Sequence, residues 1–213
     1  RDATGAGMMD AKRALVDANG DHEAAAQALR EQGLAKAVGR SDRDNAEGAI
    51  GLATTTDRAA LVHLRCETDF SAKSEGFVSL VDDLASAVLE EGEGAPEARA
   101  AALDDLRLSI KENVEVGQVA LIEAVTDNLI DAYLHRQDGR GVNGVVVEAS
   151  GVDQEVLHQI ALHIAFAKPT ALSRDEVPPD LVEVERVALL DITKAEGKPE
   201  QAWDKIVEGR LSA

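Results

Sequence analysis

The sequence predicts an α+β fold. Helical patterns open and close the chain, and the region between them alternates between the period of strands and the period of helices. The chain has 213 residues, enough for one large domain or two small ones. Hydrophobic residues make up 45% and aromatic residues 2% of the chain, so the core must consist mainly of Ala, Leu, Val and Ile. That composition favours helices that approach one another closely through small side chains.

The first predicted domain, residues 1–40, is helical. Two short helical patterns cover residues 8–18 and 22–32. The residues between them predict a turn, with Asp21 as the N-cap of the second helix. Gly33 is predicted to end that helix, because glycine is the preferred residue just after a helix. Two short helices bury little apolar surface, so a third helix is expected ahead of the first residue.

A polar stretch without any period follows and is predicted to be a linker at residues 41–45. Strand and helix patterns then alternate, which predicts a core in two halves, residues 46–125 and 126–172. Both halves combine antiparallel strands with packed helices. In chain order, the predicted elements are strands at 49–53 and 60–64, helices at 77–88 and 97–112, strands at 118–124, 130–135 and 142–149, and a helix at 153–165.

The last block, residues 173–213, predicts a helical hairpin. Its first helix is expected at 179–195 and its second helix ends near Leu211, with a Gly-Lys-Pro turn between them. The first helix carries four apolar residues on one face: Leu181, Val184, Ala188 and Ile192. Because this face is narrow for so long a helix, the hairpin is predicted to be an arm rather than part of a core. Homodimerisation through it is not indicated.

The charge balance argues against several classes of function. With 22 Lys and Arg against 40 Asp and Glu, the chain carries a formal net charge of −18. Direct binding of nucleic acid is disfavoured, because a phosphate backbone requires a basic surface. The apolar runs are far shorter than the ~20 residues of a membrane span. The single cysteine, Cys66, cannot form an internal disulfide, which is consistent with a reducing cytoplasm. A cytoplasmic location is therefore expected.

No pattern in the sequence points to catalysis, a metal or a cofactor. The five histidines form no HExxH motif, and His158 and His163 are spaced to face different directions on a helix. Cys66 has no flanking cation to lower its thiol pKa, so a buried apolar role is expected rather than a nucleophilic one. The glycine-rich residues 4–7 precede a helix and follow no strand, which favours a tight turn over an anion site. The sequence therefore predicts a protein that is not an enzyme.

One polar segment, residues 67–73, contains the aromatic residue Phe70. A ring left in water forgoes about 1.5–3 kcal/mol of burial energy, so its presence needs an explanation. The ring either packs under the following helix or projects from the surface as an anchor for a partner, because interface hot spots favour aromatic residues within a polar rim. Composition alone does not choose between these two alternatives.

Several short motifs occur in a fixed order along the whole chain and together are highly specific. They are Thr4-Gly5-Ala6-Gly7-Met8-Met9-Asp10-Ala11-Lys12-Arg13-Ala14-Leu15, Ala18-Asn19-Gly20-Asp21, Cys66-Glu67-Thr68-Asp69-Phe70, Glu196-Gly197-Lys198-Pro199-Glu200 and Lys205-Ile206-Val207-Glu208-Gly209-Arg210. With them the chain resembles the translation elongation factor Ts family. The resemblance implies a nucleotide exchange factor for the GTPase elongation factor Tu that uses no cofactor. It also implies a three-helix N-terminal domain similar to ubiquitin-associated domains, a two-part α/β core and a helical hairpin arm.

The resemblance also assigns residues to the contact with elongation factor Tu. A signature loop that acts on the magnesium site of the partner corresponds to Thr68, Asp69, Phe70 and Ser71. Of these, Asp69 and Phe70 are expected to matter most. The further contact residues that it implies are Arg1, Met8 and Met9 in the N-terminal domain, Ile110 and Lys111 at the end of a helix, and His135 in the second half of the core.

Three departures from the family pattern bear on these residues. Ser71 stands where valine is usual, which reduces the apolar surface of the loop, and Lys111 stands where many members have glycine. The family normally continues beyond Ala213 with a further strand and a C-terminal segment, so the second half of the core is expected to lack a strand. Two alternatives stay open. In the first, Met8 and Met9 pack in a core instead of contacting a partner. In the second, the chain is a helical adaptor without exchange activity.

Overall fold

The structure, a computed structural model, describes residues 6–171 and 173–212. The chain divides between Phe166 and Ala167 into two compact units. The first unit combines helices with antiparallel strands and the second is helical, which confirms the predicted α+β class. In chain order, the elements are α1 (Met8–Asp17), α2 (His22–Val38), β1 (Glu47–Thr54), β2 (Arg58–Cys66), α3 (Asp69–Ala72), α4 (Glu75–Glu91), α5 (Ala95–Ala98), α6 (Ala100–Ile110), β3 (Glu115–Glu123), β4 (Leu129–Gln137), β5 (Arg140–Ala149), α7 (Gln154–Ala167), α8 (Pro179–Ala195) and α9 (Trp203–Leu211), with short 3-10 turns at Arg174–Glu176 and Glu200–Ala202.

The first two helices contact each other and bury small side chains. Ala11 and Ala14 of α1 and Ala25 of α2 are buried. Asp21 caps α2 as predicted, because its carboxylate accepts hydrogen bonds from the backbone N–H groups of residues 23 and 24 at 2.9 and 3.1 Å. The two predicted helices and the turn between them are therefore confirmed.

Gly33 does not end α2, so that prediction was wrong. The helix continues to Val38. A Cβ atom at position 33 would collide with Cδ2 of Leu108 on α6. Glycine at this position leaves room for the side chain of Leu108 against α2, and a larger residue would require Leu108 to shift.

The first half of the core is a three-stranded antiparallel sheet, in the order β1-β2-β3, covered by α4. Every second residue at the end of β2 is buried, as expected for a strand with one face in a core. These residues are Ala60, Val62, Leu64 and Cys66. The helix contributes the residues predicted from its period, and the fully buried ones are Phe77, Val81, Leu84 and Val88. The predicted hairpin and amphipathic helix are both confirmed.

The second half of the core is the hairpin of β4 and β5, covered by α7. Asp138 and Gly139 form a two-residue turn, and their φ angles of 52° and 83° are both positive, as the tightest hairpin turns require. A small cluster joins α7 to this sheet: Val145, Ala161 and Ala165. The two halves are connected through β5 and β1, since Nη1 of Arg140 donates to the carbonyl oxygen of Gly48 at 2.6 Å.

The predicted linker, residues 41–45, forms neither helix nor strand. It is nevertheless bonded to the core. Nδ2 of Asn113 donates to the carbonyl oxygens of Ser41 and Arg43 at 3.1 and 2.9 Å, and Nδ2 of Asn45 donates to a carboxylate on β3 at 2.9 Å. The predicted boundaries of the domains stay predictions.

The second unit contains the predicted helical hairpin, formed by α8 and α9. Thr193 and Val207 are buried in it. Leu181, Val184 and Ile192 share a face of α8 as predicted, but they are 48%, 67% and 50% exposed, so this face points away from α9. Among the described residues, every helix is too short or too polar to span a bilayer.

Candidate partner-binding site

A single helical turn between β2 and α4 carries Phe70, and residues 67–71 are called the Phe70 turn below. Thr68 is the N-cap of α3, and its Oγ1 accepts a hydrogen bond from the backbone N–H of Ser71 at 3.3 Å. Ala72 of the same helix is buried, whereas Phe70 is 84% exposed. The alternative in which the ring packs under the following helix is therefore wrong.

The carboxylate of Glu112, in the loop between α6 and β3, holds the Phe70 turn. Its Oε2 accepts hydrogen bonds from the backbone N–H groups of Glu67 and Thr68 at 3.0 and 3.1 Å. Its Oε1 accepts hydrogen bonds from the hydroxyl groups of Thr68 and Ser71, both at 2.7 Å. No sequence motif points to Glu112, because its hydrogen-bond partners lie 41–45 residues away along the chain.

These hydrogen bonds keep the Glu112 carboxylate charged. Partial burial of the side chain raises its pKa, but the hydroxyl donors of Ser71 and Thr68 and the two backbone N–H groups outweigh burial, so the pKa lies below the ordinary value for glutamate. Hydrogen bonds to a charged acceptor are stronger than neutral ones. The Phe70 turn is therefore anchored by an ionised group.

Ser71 supports the turn from the inside. From the sequence, Ser71 is expected only to reduce the apolar surface of the loop relative to valine. In the structure the residue is half-buried and its hydroxyl donates to Glu112. In this chain the side chain at position 71 makes a hydrogen bond within the protein, and a contact between Ser71 and a partner stays a prediction.

Lys111 ends α6 in the left-handed conformation, with φ 59° and ψ 31°. A residue with a Cβ atom is crowded in this conformation, which explains why glycine suits the position. Lys111 is exposed, whereas Ile110 is partly buried against the first core cluster. The left-handed residue turns the chain just before Glu112 and so directs that carboxylate towards the Phe70 turn.

Asp69 is bonded to Lys73 and through it to the second half of the core. Oδ2 of Asp69 accepts a hydrogen bond from Nζ of Lys73 at 2.8 Å, and this bond lowers the pKa of Asp69. The same Nζ lies 3.2 Å from Oδ2 of Asp138, in the turn between β4 and β5. His135 is on β4, exposed, with Nδ1 3.2 Å from the hydroxyl of Tyr133.

The two methionines at the start of α1 are exposed. Met8 is 68% and Met9 is 67% exposed, so the alternative in which they pack in a core is wrong. The residue before them, Gly7, lines the same small cleft as Lys111. Arg1, the remaining predicted contact, lies outside the described residues.

Cys66 has the buried, unreactive character that the sequence predicted. Its Sγ donates to the carbonyl oxygen of Thr68 at 3.2 Å, and burial raises the pKa of the thiol to about 11. Within residues 6–171 and 173–212, no group of three or more His, Cys, Asp and Glu side chains is arranged to hold a metal ion.

Comparison with known proteins decides the family. The family model described as Elongation factor TS matches residues 67–213. The chain belongs to the elongation factor Ts family. Elongation factor Ts of Cutibacterium acnes (strain DSM 16379 / KPA171202) is 43% identical over 99% of this chain and 80% of its own length. Elongation factor Ts of Clavibacter michiganensis subsp. michiganensis (strain NCPPB 382) is 41% identical over 100% and 80%, and that of Ruegeria sp. (strain TM1040) is 40% identical over 99% and 75%.

Membership of the elongation factor Ts family implies a role in translation elongation, as a nucleotide exchange factor for elongation factor Tu. The family match begins at Glu67, the first residue of the Phe70 turn. The structure links this turn to Lys111 through the adjacent Glu112, and to the hairpin of His135 through Lys73. The contacts of these residues with a partner stay predictions.

Proposed function

We propose that this chain acts in the cytoplasm as a guanine nucleotide exchange factor that binds GDP-bound elongation factor Tu and disturbs its Mg²⁺ site with Phe70. The observation that supports the proposal most is the 84% exposure of Phe70 on a turn that Glu112 holds with four hydrogen bonds. A ring held in water keeps about 1.5–3 kcal/mol of burial energy available for a partner.

Exchange of GDP for GTP makes and breaks no covalent bond in this chain. What it requires is differential binding, because a ligand shifts an equilibrium only by the difference between its affinities for the two states. The chain binds nucleotide-free elongation factor Tu more tightly than the GDP-bound form. By reciprocity it weakens the binding of GDP by the same factor.

The ring of Phe70 inserts between helices of elongation factor Tu beside the magnesium ion and shifts the groups that hold it. Departure of the ion removes the positive charge that balances the phosphates of GDP, so GDP dissociates faster. Asp69, next to the ring, is held by Lys73 at 2.8 Å and helps to keep the orientation of the turn.

Further contacts extend along the core and the N-terminal helices. Met8 and Met9 supply an exposed apolar surface that adapts to a partner, because methionine side chains are flexible. Ile110, Lys111 and His135 supply the remaining contacts in the two halves of the core. The acidic surface of the chain serves solubility.

The exchange reaction tests the proposal directly. Phe70→Ala is expected to slow the release of labelled GDP from elongation factor Tu, measured by stopped flow, by about 30-fold or more, since truncation of a hot-spot residue costs about 2–4 kcal/mol. Phe166→Ala is the matched control, because Phe166 is 89% exposed and lies outside the Phe70 turn. A Phe70→Ala protein with the parental rate would remove the ring from the mechanism. A parent protein without effect on GDP release would favour the helical adaptor instead.

A further inference from the structure

We infer that Glu112 is a positioning residue for nucleotide exchange: its carboxylate holds the Phe70 turn in the conformation that presents Phe70 to the partner. The inference rests on the function proposed for Phe70 and extends it to a residue behind the ring. It gives a role to a half-buried, charged group that neither the sequence motifs nor the resemblance assigned.

The Phe70 turn needs support from outside itself. Its helix, α3, has only four residues, Asp69–Ala72. One turn of helix is unstable alone, because nucleation fixes several backbone angles for one hydrogen bond. The nearest support is Glu112, which accepts the backbone N–H groups of Glu67 and Thr68 just before the helix.

Glu112 holds the chain on both sides of Phe70. It bonds Thr68 twice, through the backbone N–H at 3.1 Å and the hydroxyl at 2.7 Å. It bonds Ser71, immediately after Phe70, through the hydroxyl at 2.7 Å. Loss of this one carboxylate therefore removes hydrogen bonds on both sides of Phe70 at once.

The loop that carries Glu112 is itself firmly held. The backbone N–H of Asn113 donates to the carboxylate of Glu67 at 2.7 Å, so Glu67 donates to one loop residue and accepts from the next. Asn113 is buried and its side chain bonds two carbonyl groups of the linker. Val114 is also buried. Glu112 is thus a rigid support rather than a mobile surface side chain.

A turn that is ordered before binding presents its ring without an ordering cost at the moment of binding. When the competent conformation is populated only about a tenth of the time, the apparent affinity falls about tenfold. Removal of the Glu112 carboxylate is expected to have an effect of that size on exchange.

Three variants separate positioning from general stability. Glu112→Ala removes all four hydrogen bonds to the turn. Glu148→Ala is the matched control, because Oε1 of Glu148 accepts hydrogen bonds from the backbone N–H of Val125 and Nδ2 of Asn128 at 2.7 and 2.8 Å in a different loop. Glu112→Gln tests rescue, since its amide oxygen can accept both N–H groups while its amide nitrogen donates to the hydroxyl oxygens. If Glu112→Ala does not fold, Glu112→Asp is used in its place, because the side chain is shorter by one methylene group and the carboxylate is drawn back from the turn.

Two measurements are made on each variant. Without the partner, the backbone order parameters of residues 68–71 from ¹⁵N relaxation are expected to fall from about 0.85 to below about 0.6 in Glu112→Ala only. With GDP-loaded elongation factor Tu, GDP release is expected to be about tenfold slower in Glu112→Ala, near the parental rate in Glu112→Gln and unchanged in Glu148→Ala. In a Phe70→Ala background, Glu112→Ala should slow GDP release by less than about twofold more, because Glu112 acts through the ring of Phe70.

The outcomes distinguish the two proposals. Parental order and parental GDP release in Glu112→Ala, or in Glu112→Asp, overturn the inference. The inference is also overturned if Glu112→Ala slows GDP release by the same factor in the parent and in the Phe70→Ala background, because the effect of Glu112 then does not depend on the ring. A Phe70→Ala protein with the parental rate overturns the proposed function instead, and the order parameters, measured without the partner, still decide whether Glu112 holds the turn.

Discussion

Lys73 and Asp138 form an ion pair, with Nζ 3.2 Å from Oδ2, that joins the helix carrying Phe70 to the tip of the β4–β5 hairpin. The same ammonium group bonds Asp69 at 2.8 Å. Asp138 adopts the left-handed conformation in its two-residue turn, with a φ angle of 52°. One cation therefore connects the two halves of the core beside the Phe70 turn.

The Lys73–Asp138 pair is expected to show a small, salt-dependent coupling. A double-mutant cycle of Lys73→Ala and Asp138→Asn, which keeps the turn, should give a small favourable coupling in low salt, as exposed ion pairs do. The coupling should fall in 1 M salt, measured by urea unfolding, because screening weakens it. Lys194 and Asp191, 3.7 Å apart within one helix, provide the control cycle. Absence of coupling at low salt would contradict a connection between the halves through this pair.

Gly33→Ala is expected to destabilise the protein by about 1 kcal/mol, because the partly buried side chain of Leu108 must shift to admit the added methyl group. The added Cβ atom would collide with Cδ2 of Leu108, so this side chain must move or α2 must shift relative to α6. Gly209→Ala is the control, since a Cβ atom there meets nothing within 4 Å inside α9, and it should stabilise by about 0.5–1 kcal/mol. Urea unfolding measures both changes. Effects of the same sign would show that the contact with Leu108 is not what requires glycine.

Lys111→Gly is expected to stabilise the protein by about 0.5–1 kcal/mol, because glycine adopts the left-handed conformation without crowding. Lys111→Ala removes the same side chain but keeps the Cβ atom, so it should give no such gain. Thermal melting of the two variants under identical conditions compares them. An equal gain in both would assign the effect to the charge of Lys111 rather than to its backbone.

The bonds to Glu112 are expected to make stability depend on pH in acid. The folded pKa of Glu112 is below its unfolded value, which is about 4.3 for glutamate. The stabilisation is therefore complete above about pH 5 and is lost as the pH falls through the folded pKa. Urea midpoints should fall more steeply from pH 5 to pH 3 in the parent than in Glu112→Gln. The neighbouring titratable groups, Glu67 and Cys66, are the same in both proteins, so parallel curves would contradict the prediction.

Most of the fold could be predicted from the sequence, because regular elements place their apolar residues at regular intervals. The helix predicted at 77–88 is found at Glu75–Glu91, and the strands of the β1–β2 hairpin extend one or two residues beyond each predicted end. Strand ends carry polar residues, so hydrophobic period alone does not reach them. The motifs that resemble elongation factor Ts located Phe70 and its neighbours.

The contacts that hold the site could not be predicted in the same way. Glu112 bonds residues 41–45 positions away, and a single sequence carries no information that pairs distant residues. Gly33 has the local pattern of a helix end, yet its neighbour Leu108 belongs to a helix far along the chain. The direction of Phe70 likewise depends on which side of α3 is buried, and composition does not contain that information.

The side-chain amide of Asn113 donates hydrogen bonds to two carbonyl groups of residues 41–45, which the sequence predicts to be a linker. A flexible linker tolerates changes of length. A segment that is hydrogen-bonded at Ser41 and Arg43 does not, because a residue inserted between them would move one of the two carbonyl groups away from Asn113. Insertions within residues 41–45 of this protein are therefore expected to destabilise it, although the sequence predicts a linker there.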